Sequence, residues 1–91
     1  MPIRVLHVSG IEEVLPGNRE LPLKRMQEIV DGYIEVVPCN YEGRRCMMVV
    51  NSEGAIAWGG RGPLPINVIA SRLRGEYIHG TAIIYDGVRL E

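Results

Sequence analysis

The chain of 91 residues carries ten lysines and arginines against eleven aspartates and glutamates, a net charge of −1, with 46% hydrophobic residues. So short a chain has room for one core, so a single α+β domain over residues 1–91 is expected. The balanced charge, with no run of five like charges, gives no footprint for duplex nucleic acid or an anionic membrane surface. No apolar run approaches the ~20 residues that span a bilayer. The opening MPIRVLHVSG lacks the basic start and long apolar stretch of a signal peptide, so the expected compartment is the cytoplasm. Domains of this size keep about 5–10 kcal/mol of net stability, and burial inside a homo-oligomer would be a natural supplement.

In chain order, Ile3 to Val8 is a short β-branched run ended by Ser9-Gly10, a first strand, with Ile11 to Leu15 as its hairpin partner before Pro16-Gly17-Asn18 turns the chain. Pro22 suits a first helical turn. Leu23, Met26, Ile29 and Val30 then recur at helical spacing, and Asp31-Gly32 supplies a left-handed stop. Tyr33 to Val37 and Arg45 to Asn51 are β-prone runs flanking a turn between Cys39 and Cys46, an antiparallel hairpin. Asn51-Ser52-Glu53-Gly54 reverses the chain into Ala55 to Trp58. Ile66, Ile69, Ala70 and Leu73 form the apolar side of a second helix that starts near Pro65 and stops at Gly75.

Tyr77 to Tyr85 closes the fold as a central strand, apolar on both faces at Thr81 to Ile84, and Asp86-Gly87 turns into a tail, Val88 to Glu91. The expected order is β(β)αββ(β)αβ. It implies a two-layer sandwich with two helices on one mixed, mainly antiparallel sheet. Cys39 and Cys46 would face each other across the hairpin, and without a secretion signal reduced thiols are expected. With only His7 and His79 besides, a zinc site is not expected, nor is any other metal or cofactor.

Four stretches in this order, LPLKRMQEIVDGYIEVV, VNSEGAIAWGG, PLPINVIASRL and HGTAIIY, resemble the family called domain of unknown function 3846, small proteins of bacteria, archaea, plasmids and phages. Gln27, Val30, Gly32, Ile34 and Glu35 match its first motif, Asn51, Glu53 and Gly54 its second, and Asn67 and Ala70 its third. The chain departs from the pattern by the glycine-rich Trp58 to Gly62, and by Gly80-Thr81 where an acidic residue often follows the glycine. The resemblance implies the fold and an accessory role on mobile genetic elements; it implies no activity.

The chemistry is concentrated in AWGGRGPLPIN, Ala57 to Asn67. Glycines before a helix start let backbone N–H groups approach an anion, yet neither a Walker loop nor a dinucleotide fingerprint is present. A surface loop is the plainer reading. Trp58 offers an aromatic face, Arg61 a forked donor and Gly60 free backbone donors, while Asn67 either caps the helix or reads a polar edge. Trp58 as a core residue, and Arg44-Arg45 beside Tyr41 as a solvated turn rather than an anion contact, are the structural alternatives. His7 and His79, in apolar strands, read as hydrogen-bonded histidines rather than bases. No catalytic residue is assigned, and an enzyme is the least favoured class.

The expected function is a binding module that captures a small anionic ligand such as a nucleotide through Trp58, Gly60, Arg61 and Asn67. The alternative is a protein-interaction module working through a sheet edge or an oligomer face, with the hairpin Tyr33 to Asn51 and Met47-Met48 as its surface.

Overall fold

The computed structural model describes residues 3–15, 21–56 and 63–85, and the chain runs β1 (Ile3–Leu6), β2 (Glu12–Leu15), α1 (Leu23–Val30), β3 (Ile34–Tyr41), β4 (Arg44–Asn51), α2 (Val68–Arg74) and β5 (Ala82–Tyr85). The strands form one sheet in the order β2-β1-β5-β4-β3, and each neighbouring pair is antiparallel. The α+β class is as expected. The mixed sheet is not, because every described pairing is antiparallel.

The hairpin of β3 and β4 turns on Glu42 and Gly43, with φ of 50° and 76°. Two positive φ values make the primed two-residue turn whose twist matches that of the strands, and a residue without a Cβ carries the second at no steric cost. This tight turn fixes the register at Tyr41↔Arg44 and so sets Cys39 opposite Cys46 inside the strands, not at the ends of a loop. Both cysteines are buried free thiols.

Side chains alternate across a strand, so the core residues reveal which face each helix covers. Cys46, Met48 and Val50 of β4 cluster with Ala70 of α2, whereas Val49 clusters with Met26 and Val30 of α1. In β5 the same split separates Ala82 and Ile84 from Ile83 and Tyr85. The two helices therefore lie on opposite faces, and the expected two-layer sandwich is corrected to helix, sheet, helix. The physical reason is the unbroken apolar run of the two central strands: covering only one face would leave every second residue of that run in water. Each fully buried isoleucine or valine here contributes roughly 1.5–3 kcal/mol over an exposed one.

The helix ends follow local chemistry. α1 stops where Asp31 takes a left-handed φ of 63°. Asn51, at the end of β4, donates through its amide to the carbonyls of Val30 (3.1 Å) and Asp31 (3.0 Å) and accepts from the Glu53 N–H (2.8 Å), tying the end of α1 to the next turn. α2 starts two residues later than expected, at the cap Asn67, and ends at Gly75. Ala55 and Ile56 lie in a turn rather than a strand, and β5 is shorter than expected, because Ile66 and His79 form only an isolated bridge. The tail Val88 to Glu91 falls outside the described residues.

Candidate functional site

Trp58, Gly60 and Arg61 lie outside the described residues. The platform flanking them is described. The Leu64 N–H donates to the Gly54 carbonyl (2.8 Å), His79 Nδ1 to the Leu64 carbonyl (2.8 Å) and the Gly80 N–H to the Pro65 carbonyl (2.8 Å). Gly54 leaves no room for a side chain, since a Cβ there would stand 2.8 Å from the His79 carbonyl oxygen.

Asn67 is 1% exposed. Its Oδ1 accepts the Ala70 N–H (3.0 Å), and its amide donates to the carbonyls of Leu6 (2.9 Å) and Gly80 (2.9 Å). One side chain thus caps α2 and fastens it to the end of β1 and the approach to β5. Both amide hydrogens are engaged inside the protein, and of its two expected roles the cap is the one this geometry displays.

A polar concavity of about 190 Å³ opens at the free edge of β3, lined by Pro38, Cys39, Asn40, Arg45 and Arg74. The two-residue turn makes Tyr41↔Arg44 a hydrogen-bonded pair, and pairs alternate along an antiparallel ladder. Pro38 therefore belongs to the residues whose backbone points away from β4, where its missing N–H costs no ladder bond. Its carbonyl accepts Nη1 of Arg74 (3.1 Å), and Nη2 of Arg74 pairs with Glu76 (3.2 Å). Asn40 and Arg45 are cross-strand partners on the same wall. Arg45 has no ion-pair partner among the described residues.

Burial pushes the Cys39 thiol up from its ordinary value, with Arg74 pulling the other way. A buried, protonated thiol is a poor nucleophile, so Cys39 serves as wall rather than reagent.

On another side of α2 lies an apolar groove of about 320 Å³ lined by Ile66, Val68, Gly75 and Tyr77, with Arg72 and Glu76 as its charged members. Ile66, Val68 and Tyr77 are 44%, 55% and 79% exposed. Ile66 was expected on the core side of the second helix; it precedes the cap and stands at the surface instead. Ile69, Ala70 and Leu73 do face the core.

Of the methionine pair, Met48 is 0% exposed in the α2-side core and offers no surface, whereas Met47 is half-buried. His7 bonds through Nε2 to Glu13 (3.0 Å) at the surface, outside the strand in which it was expected. Tyr41, at the tip of the β3–β4 hairpin, donates its hydroxyl to Glu12 on the opposite sheet edge, with the Arg4 guanidinium 5.4 Å from its ring centre. That contact requires the sheet to curl so that its two edge strands approach across the α2 face. Among the described residues no three His, Cys, Asp or Glu side chains gather to hold a metal ion, and no described helix is long and apolar enough to cross a membrane.

No curated protein and no solved structure matches the chain. The family model for the domain of unknown function (DUF3846) matches residues 3–89, a range that includes Asn51 and Asn67, and the chain belongs to that family.

Proposed function

We propose that the chain is a binding module that captures the anionic group of a small ligand, such as a nucleotide phosphate or a carboxylate, in the concavity at the edge of β3 that Arg74 reaches from the end of α2. The observation that carries this reading is that two arginines line one polar concavity: Arg74, held there by the Pro38 carbonyl and paired with Glu76, and Arg45, which has no ion-pair partner among the described residues. Forked donors suit planar or tetrahedral oxyanions, and charge-assisted bonds are about twice as strong as neutral ones. At about 190 Å³ the concavity is smaller than the roughly 300 Å³ at which drug-sized pockets begin, so it accepts an anionic headgroup and leaves the rest of the ligand outside.

Titration of inorganic phosphate, nucleoside monophosphates and a simple dicarboxylate, followed by amide chemical shifts, tests the reading. The expected result is saturable shifts at Asn40, Arg45 and Arg74, weakened about tenfold or more by Arg45→Ala. Binding that survives Arg45→Ala and Arg74→Ala but is lost in Arg61→Ala moves the site to the glycine-rich segment. An absence of shifts across the whole panel removes the ligand reading.

A further inference from the structure

We infer that the apolar groove beside α2 is the contact face of a symmetric homodimer. Ile66, Val68 and Tyr77 stand together at the surface although each is large and apolar, and a contiguous apolar patch on a domain this small costs solubility unless something covers it. The choice of a second copy as the occupant rests on charge. The groove carries one cation and one anion, Arg72 and Glu76, four residues apart. Arg72 has no ion-pair partner among the described residues, and Glu76, paired with Arg74 at 3.2 Å, is still largely exposed.

A patch bearing both signs along one line is complementary to itself. Under a two-fold axis passing between the two positions, Arg72 of each copy faces Glu76 of the other, giving two ion pairs around an apolar centre. A partner of single charge would leave one member of the pair opposite a like charge. Gly75, which also lines the groove, has no side chain to obstruct a close approach. The dimer face shares no lining residue with the concavity at the β3 edge, and the Arg74–Glu76 ion pair is the one described link between them.

Sedimentation velocity of the full chain from micromolar to millimolar concentration is the test, with circular dichroism confirming that each variant is folded. The expected species has twice the monomer mass, and Tyr77→Glu, which places like charges about the axis, weakens association about a hundredfold. Arg72→Glu and Glu76→Arg each weaken it about tenfold, and the double variant Arg72→Glu/Glu76→Arg recovers association by exchanging the signs. A monomer at every concentration overturns the inference. So does a dimer indifferent to Tyr77→Glu, or a charge exchange that recovers nothing.

Discussion

Arg72 and Arg74 stand two residues apart in the last turn of α2 and meet opposite surroundings. Arg74 reaches the carbonyl of Pro38 and lines a polar concavity, whereas Arg72 borders a groove of isoleucine, valine and tyrosine. At 3.6 residues per turn, positions two apart point roughly 200° away from one another, so the helix divides the pair between its two sides. Both arginines also favour the carbonyl end of the helix dipole, which is reason enough for basic residues there. What separates their roles is the neighbourhood: the outer edge of β3 on one side, exposed apolar side chains on the other.

The largest expected effect comes from removing what both regions share. Asn67→Ala deletes the cap of α2 and leaves the Leu6 and Gly80 carbonyls without their buried donor. A lost cap costs about 1 kcal/mol and each of the two orphaned buried acceptors about 1–3, so a loss of roughly 3–7 kcal/mol is expected in urea unfolding, with both concavities disordered. A loss below about 1 kcal/mol would show that water takes over the amide's role and that the two sides do not depend on it.

Next in size is a crossed pair of substitutions that separates the two sides. Arg45→Ala is expected to weaken phosphate binding about tenfold while leaving self-association alone, and Val68→Glu to do the reverse. If each variant impaired both properties, the two sides would be acting as one surface. The comparison above would then fail.

The sequence made the elements of this comparison legible more readily than their arrangement. Helical spacing picked out Met26, Ile29 and Val30 in α1 and Ile69, Ala70 and Leu73 in α2, because those periodicities are set by core burial, and Asn67 was readable as a cap from its place at a helix start. The placement of the helices on opposite faces was encoded in the apolar run Cys46 to Val50, which only a sheet covered on both sides accommodates, but amphipathic helices alone carry no information on which face they choose. Arg45 and Arg74 are brought to one concavity by a hairpin register and a helix crossing, neither of which local patterning contains. Ile66 misled because its spacing matched the helix while its backbone lies ahead of the cap.

The smallest expected effect concerns the contact that curls the sheet over the α2 face. Burial first, then the hydrogen bond to Glu12 and the charge of that carboxylate, push the Tyr41 hydroxyl up from its ordinary value of 10.0 to about 12. Between those values the folded chain holds a proton that the unfolded chain has released, so the stability linked to this phenol is full below pH 10 and is lost as the pH rises through 12. Tyr41→Phe keeps the ring beside Arg4 and removes only the hydroxyl, an expected cost of about 1 kcal/mol at neutral pH. The gap between wild type and variant in urea unfolding should therefore close progressively across the alkaline window. A gap that stays constant to pH 12 would mean that the phenol ionises equally well in both states, and the two edges of the sheet would then be joined by the ring and the guanidinium rather than by the hydroxyl.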